Sequence, residues 1–310
     1  MAALTERHVT HNLQPAPGHN RAKKSQWFNE MMYSLDTICG ILGEPAHAGD
    51  SHAIYHADCA ELMASFPDAC IPLTVTSPPY NIGKEYEAPM SLEEYLRWSE
   101  HWIGQVHRIT TGCGAFWLNL GYVSIPGRAK AIPLPYLLWD RIPFYLEQEV
   151  VWHYKAGVAA RKSFSPRNEK FLWYLKDPEQ YTFHLDAVRD PDVKYPNQKK
   201  NGKLKCNQLG KNPGDVWQFA KVTSGKDRSS KERTPHPAQF PLAVVSRIVE
   251  ACSNPGELVF DPFLGSGTVI EAAIRLGRCA VGFEINRRYV DLAERRVSRV
   301  LREIGQPTLF

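Results

Sequence analysis

Two short stretches, far apart in the chain, carry residue types whose spacing could do chemistry. The first is Thr76-Ser77-Pro78-Pro79-Tyr80-Asn81. Successive prolines fix φ and lack N–H groups, so such a loop is stiff and offers acceptors rather than donors. The Ser77 hydroxyl and the Pro78 carbonyl are two acceptors held close together, and the Tyr80 ring adds a flat face. The second stretch runs from Glu257 to Glu284. An apolar run enters Asp261-Pro262-Phe263-Leu264-Gly265-Ser266-Gly267, a helical pattern follows from Thr268, and a further apolar run ends at Glu284. Two close glycines let the backbone turn sharply and approach a ligand at a helix N-terminus, where free N–H groups and the dipole favour a carboxylate. Glu284 stands 17 residues beyond Gly267, where α/β nucleoside-binding folds place the acid that holds ribose hydroxyls. Taken singly, a bare S-P-P-Y reads as a polyproline turn and a lone G-x-G as a structural glycine turn. Strand, glycine turn, helix, strand and acid in that order are far more specific.

The elements that must position these residues alternate between strand-like and helical patterns, as a doubly wound sheet requires. The pattern predicts strands over 53–57, 71–76, 113–120, 146–154, 257–260 and 279–283, with 170–175 as the antiparallel partner of 146–154. It predicts helices over 91–107, 134–141, 241–252, 268–276 and 287–301, the first opened by Ser91 as N-cap with Glu94 completing a capping box. Trp27, Met31, Leu35, Ile38 and Leu42 have helical spacing, so a helix is expected within 25–42, after a polar stretch expected to be unstructured to about Lys24. The fold class expected is therefore α/β, a doubly wound, mostly parallel sheet. Residues 1–50 form an extension, 51–175 and 236–310 two halves of one domain, and 176–235 a basic insertion between them.

A chain of 310 residues, 43% hydrophobic, can build one large core and a smaller lobe. Seven scattered cysteines with no C-x-x-C pair argue against both a zinc ribbon and a disulfide framework, so no metal is expected. No run of 18 apolar residues exists, and the N-terminus lacks the apolar core of a secretory signal, so the expected location is the cytoplasm. Charge is more informative. Between Val151 and Pro235 there are 18 Lys and Arg against nine Asp and Glu, a local net of +9 in a chain whose total is +4. Val193 to Gly214 holds six lysines and no acid. A basic lobe on a near-neutral body suits a polyanion; the alternative is a solvated lysine-rich loop.

Together, the two motifs resemble the amino-methyltransferase family of bacterial restriction–modification systems, in the subgroup whose catalytic motif precedes its cofactor motif. The resemblance spans roughly Ala53 to Leu301. It implies a Rossmann-like methyltransferase fold and S-adenosylmethionine as cofactor. Asp261, Phe263, Gly265, Ser266, Gly267 and Thr268 would surround the methionine part, Glu284 would bind ribose, and Asp58 would contact the adenine. Thr234 to Pro241 matches the segment over the cofactor's amino-acid end. For His236 within it, a hydrogen-bonded loop histidine is as good a reading as ligand contact. Ser77, Pro78, Pro79 and Tyr80 fall on the catalytic tetrapeptide, continued by Asn81 to Lys84 and, later, by Lys211 to Trp217.

The chemistry fits those residues. An exocyclic amino nitrogen is a poor nucleophile because its lone pair is delocalised into the ring. Ser77 Oγ and the Pro78 carbonyl can hold its two N–H bonds, while Tyr80 can stack on a base rotated out of the duplex. In the family the first loop position is more often Asp or Asn for adenine and Ser or Thr for cytosine. Ser77 therefore favours cytosine N4, with adenine N6 as the alternative. Cytosine-C5 methylation needs a cysteine after proline, and no Pro-Cys dipeptide exists. RNA and protein-glutamine methyltransferases with similar loops have the opposite motif order. A binding protein that has lost catalysis is disfavoured by the intact motifs.

Double-stranded DNA is the implied partner. Lys194, Lys199, Lys200, Lys203, Lys205 and Lys211 can neutralise phosphates, and the interleaved Asn and Gln can read adenine edges. That region, with Lys221 to Arg233, is the expected target-recognition part. Arg161 to Glu169 is expected either to line the flipped-base pocket or to form a surface turn. The resemblance leaves open a cognate restriction endonuclease and a homodimer.

Overall fold

The computed structural model describes residues 33–83, 90–155, 157, 159–222 and 230–305. Along the chain run α1 (Leu35–Leu42), β1 (His47–Gly49), β2 (His52–His56), α2 (Cys59–Met63), β3 (Ile71–Thr76) and α3 (Leu92–Ile109). Next come β4 (Thr110–Leu120), a hairpin of β5 (Tyr122–Ile125) and β6 (Ala129–Pro133), α4 (Leu134–Leu138), β7 (Tyr145–His153) and β8 (Asn168–Leu175). A second small hairpin, β9 (Lys199–Lys200) and β10 (Lys203–Leu204), is followed by β11 (Val216–Gln218). The chain then passes through α5 (Leu242–Cys252), β12 (Leu258–Asp261), α6 (Thr268–Arg275), β13 (Cys279–Glu284) and α7 (Arg287–Gly305).

Nine strands form one sheet in the order β1-β2-β13-β12-β3-β4-β8-β7-β11. The strands from β2 to β4 run parallel, β8 is antiparallel to both β4 and β7, and β11 is parallel to β7. Such strands are covered on both faces, so their side chains feed two separate cores. Leu73, Val75, Ala115, Trp117 and Val259 enter the core beneath α5, α6 and α7. Their alternating neighbours Phe116, Leu118 and Phe260 enter the opposite core, with Ile38, Met63, Trp102 and Ile103; Ile71 joins them because the β3–β4 register shifts between it and Leu73.

The predicted strands and helices lie within a few residues of those observed, and the Ser91–Glu94 capping box is formed. Three expectations need correction. The first helix begins at Leu35, because the Ser34 hydroxyl accepts from the Thr37 amide and caps it there; Trp27, Met31 and the expected unstructured stretch lie outside the described residues. Two short strands between β4 and α4 were not anticipated. The 176–235 insertion is not wholly outside the sheet either. β11 closes its edge, with Trp217 buried and stacked on Trp117 at 5.8 Å, too short a strand to leave a periodic signal.

Candidate active site

β12 leads through α6 to β13 on one side, and β3 leads through α3 to β4 on the other. Chain direction across the sheet therefore reverses between β12 and β3, which are hydrogen-bonded neighbours. The crevice outside the carboxyl ends of strands at such a point is where open α/β sheets bind ligands. Both motifs of the sequence emerge there. Thr76, the last residue of β3, donates from Oγ1 to Asp261 Oδ1, the last residue of β12, at 2.6 Å. The same Oδ1 accepts the Phe263 amide at 3.0 Å. Burial pushes the Asp261 pKa up to about 7, against the pull of those two donors.

The glycine loop has the conformation its residues predict. Gly265 and Gly267 have φ of +53° and +79°, and Gly267 caps α6. A Cβ on Gly265 would lie 3.0 Å from His236 Nε2, and one on Gly267 would lie 3.0 Å from Ala293 Cβ. Ser266 is buried beneath the loop, where Arg296 Nη1 reaches its hydroxyl at 3.3 Å. Arg296 also pairs with the buried Glu271, so α7 clamps the loop from below. Glu284, at the end of β13, accepts the Gly265 amide and the Asn286 amide, each at 2.8 Å. Burial raises its pKa above the usual glutamate value, opposed by those amides. Asp58 caps α2, accepting from Ala60 N at 2.8 Å. His236 packs edge-on against Tyr289 at 4.4 Å between centroids, and burial lowers its pKa to about 4, so it is neutral near pH 7.

On the β3 side the loop is held by hydrogen bonds to its neighbours. Tyr95 Oη donates to the Pro79 carbonyl at 2.7 Å. Ser77 Oγ and Tyr80 Oη are 2.9 Å apart, and both donate to Asn119 Oδ1, at 3.2 and 2.8 Å. Asn119 is itself oriented by donating from Nδ2 to the Lys170 carbonyl at 2.9 Å. With its hydrogen directed at Asn119, the Ser77 oxygen keeps its lone pairs as acceptors. Gly121 leaves room for Tyr80, since a Cβ there would lie 2.6 Å from the ring.

A cavity of about 790 Å³ joins the two loops. Ser77, Pro78, Pro79, Tyr80, Asp58, His236, Phe263, Gly265 and Glu284 all line it. Asp261, Ser266, Gly267 and Thr268 do not; they are buried behind it or cap the helix below it, and they shape the wall rather than form its surface. Asn119, Trp98 and Tyr289 also line it without having been singled out, and so do Glu169 and Lys221, each named only at the end of a longer stretch. Asn119 had left a signal, a polar side chain in an otherwise apolar strand, and such a buried group must find partners. Of Arg161 to Glu169, only Glu169 reaches the cavity. Lys84 and residues 223–229 lie outside the described residues.

The lysines stand apart from this cavity. Lys199, Lys200, Lys203 and Lys205 are exposed on and beside the β9–β10 hairpin. Lys194 lies over the Tyr195 ring at 5.3 Å, and Lys211 pairs with Asp190 at 3.2 Å. Among the described residues no group of three or more His, Cys, Asp or Glu could hold a metal ion, and no helix is long and apolar enough to cross a membrane.

Comparison with known proteins agrees with this arrangement. The N6/N4 family profile described as DNA methylase matches residues 71–295. The Type II methyltransferase M.ScaI of Streptomyces caespitosus is 60% identical over 274 residues, covering 87% of this chain and 90% of that protein. The structure of the cytosine-N4-specific PvuII DNA methyltransferase superposes with a TM-score of 0.65, covering 84% of this chain and 95% of that one; at 20% identity the likeness is one of fold. A putative DNA modification methylase of Thermus thermophilus, solved in complex with S-adenosyl-L-methionine, is 25% identical with a TM-score of 0.57, covering 81% of this chain and 96% of its own. With the matched region spanning both loops of the crevice, the chain belongs to the N6/N4 family of DNA methylases.

Proposed function

We propose that this DNA methyltransferase transfers the methyl group of S-adenosylmethionine to N4 of cytosine at a specific site in double-stranded DNA. The cofactor supplies the methyl group as an electrophile. Glu284 and Asp58 line one end of the cavity, where carboxylates suit ribose hydroxyls and an adenine amino group. Gly265 keeps the loop low enough for a ligand to lie against it, and Phe263 provides an apolar wall backed by Trp102 at 5.0 Å. The residues present thus fit the cofactor.

The observation that carries the amino-group chemistry is the Ser77–Tyr80–Asn119 triangle, and the choice of cytosine rests on Ser rather than Asp or Asn before Pro78-Pro79-Tyr80. Asn119 accepts the hydrogen of the Ser77 hydroxyl, so Ser77 Oγ faces an incoming amino group as a neutral acceptor. With the Pro78 carbonyl it would hold both N–H bonds and turn the nitrogen lone pair toward the methyl donor. The ring of Tyr80 would stack on the extruded base, an interaction worth about 1–3 kcal/mol.

Lys199, Lys200, Lys203 and Lys205, with Lys194, would contact phosphates. Lys200 and Lys203 sit directly opposite each other on the hairpin. Like charges so placed repel, and a polyanion relieves that repulsion. Lys211 is committed to Asp190 and is the weakest of the six. A restriction endonuclease of matching specificity would be the biological counterpart. Nucleoside mass spectrometry of DNA methylated by the protein tests the assignment. N4-methylcytosine is the expected product; N6-methyladenine alone would replace the base while leaving the amino-methyltransferase chemistry.

A further inference from the structure

Among the described residues lining the cavity, Lys221 is the one Lys or Arg. Its ammonium lies 3.0 Å from Glu169 Oε1 and 3.9 Å from the centroid of the Tyr154 ring. Glu169 lines the cavity beside Lys221, and the buried Tyr154 ring backs the pair. Glu169 is on β8 immediately before Lys170, whose carbonyl orients Asn119. Asn119 in turn accepts from Ser77 and Tyr80. One strand therefore holds, through adjacent residues, the acceptors of the catalytic loop and a fixed cation. Burial works against the charge of Lys221, but Glu169 and the Tyr154 hydroxyl outweigh it, and its pKa lies above the ordinary lysine value.

The hydrogen-bonding edges of the two candidate bases differ at one position. Both present an amino group and an adjacent ring nitrogen that accepts. Cytosine adds a carbonyl oxygen, O2, where adenine has only a C–H. The Ser77–Pro78 acceptors address the amino group and cannot tell the bases apart. An ammonium has three donors; Glu169 takes one and the Tyr154 face engages the side chain from another direction. We propose that Lys221, held by Glu169 and Tyr154, donates to O2 of the extruded target cytosine and thereby makes the site prefer cytosine over adenine. The proposal rests on the cytosine-N4 reading and names the residue that enforces it. The competing account is a tether, in which Lys221 merely ties the segment after β11 to β8.

The two accounts separate on a modified substrate. The duplex carries the recognition sequence, mapped beforehand by single-molecule sequencing. The target is either cytosine or a 2-aminopyridine C-nucleoside, which keeps the amino group and ring nitrogen and lacks O2. The wild-type protein should lose roughly 10- to 100-fold in kcat/KM on the analogue, the range for an unmade hydrogen bond to a charged donor. Lys221→Met should lose a similar factor on cytosine and show less than about a threefold further loss on the analogue. Intrinsic reactivity differences between the two bases cancel in that comparison. Cofactor affinity by calorimetry should be unchanged. Lys221→Gln, which keeps a neutral donor, should recover part of the loss on cytosine; it also serves if the methionine variant does not fold. A Lys221 variant that retains the full analogue penalty, or a wild type without one, overturns the assignment while N4-methylcytosine as product leaves the cytosine reading standing. N6-methyladenine as the natural product overturns both, because adenine offers no O2.

Discussion

The bond between Thr76 and Asp261 joins the two halves of the site, and its titration can be read directly from stability. Burial raises the Asp261 pKa to about 7 from its ordinary value of 3.8. A carboxyl group whose folded pKa is raised binds its proton more tightly folded than unfolded. Its contribution is therefore greatest below the unfolded pKa and is lost as pH rises toward the folded one. At one pKa unit per about 1.36 kcal/mol, the difference corresponds to roughly 4 kcal/mol in all. About 2.5 kcal/mol of it falls between pH 5 and pH 8. Asp261→Asn removes the titration but keeps an Oδ1 that can accept from Thr76 and the Phe263 amide. Urea unfolding of both proteins at pH 5, 6, 7 and 8 isolates this group, since every other titration is shared and cancels in the difference. The variant should gain on the wild type steadily as pH rises, by about 2–3 kcal/mol across the range, and level off above pH 7. Parallel stability curves would show that Asp261 does not bind a proton there, and the reasoning from burial would fail.

Four further outcomes follow from the site. Ser77→Ala should lower turnover by about 10²–10⁴ with cofactor affinity unchanged, which single-turnover kinetics and calorimetry separate; a loss of cofactor binding instead would put Ser77 in the wrong half. Glu284→Ala should weaken S-adenosylmethionine binding by about 1–3 kcal/mol. Since burial raises its pKa, wild-type affinity should begin to fall at a higher pH than an ordinary glutamate would cause, and a pH-independent affinity down to pH 4 would remove this role. Replacing Lys199, Lys200, Lys203 and Lys205 with alanine should reduce the log–log salt slope of DNA binding by roughly 0.9 for each phosphate no longer neutralised; an unchanged slope would make the hairpin a solvated loop. Gly121→Ala should displace Tyr80, whose ring would be 2.6 Å from the new Cβ, so the Michaelis constant for DNA should rise while the melting temperature shifts little.

Legibility in the sequence followed the range of each interaction. The Ser91–Glu94 capping box and the Gly265–Gly267 turn depend on residues a few positions apart, and they appear as read. Ser77 and Tyr80 are recognisable as a loop motif, but their partner Asn119 lies 42 and 39 residues away; a polar side chain in an apolar strand marks it as needing partners without saying which. Lys221 and Glu169 are separated by β9, β10 and β11, and their pairing needs the sheet order to be known. Lys211 looked like its neighbours in the lysine run until its partner Asp190 came into view. The β9–β10 hairpin had a local signal in Asn201-Gly202, which take φ of +51° and +77°. Flanking lysines in place of alternating apolar residues obscured it.

The order of the two motifs along the chain is, by the same logic, immaterial to the geometry they produce. What matters is that β3 and β12 are adjacent and parallel, so their carboxyl ends stand one strand spacing, about 4.8 Å, apart. The loops that leave them must diverge, because α3 carries the chain one way and α6 the other. The Thr76–Asp261 bond closes the base of that divergence across 185 residues of sequence. Above it, the acceptors of Ser77 and the turn at Gly265 are separated by a distance set by the backbone ladder rather than by flexible side chains. Methyl transfer needs the nitrogen and the methyl carbon brought into line at close range, and pre-set geometry of this kind is where proximity lowers a barrier most. A sheet that fixes the Gly265 loop and the Ser77 loop on neighbouring strands meets that need whichever loop is synthesised first.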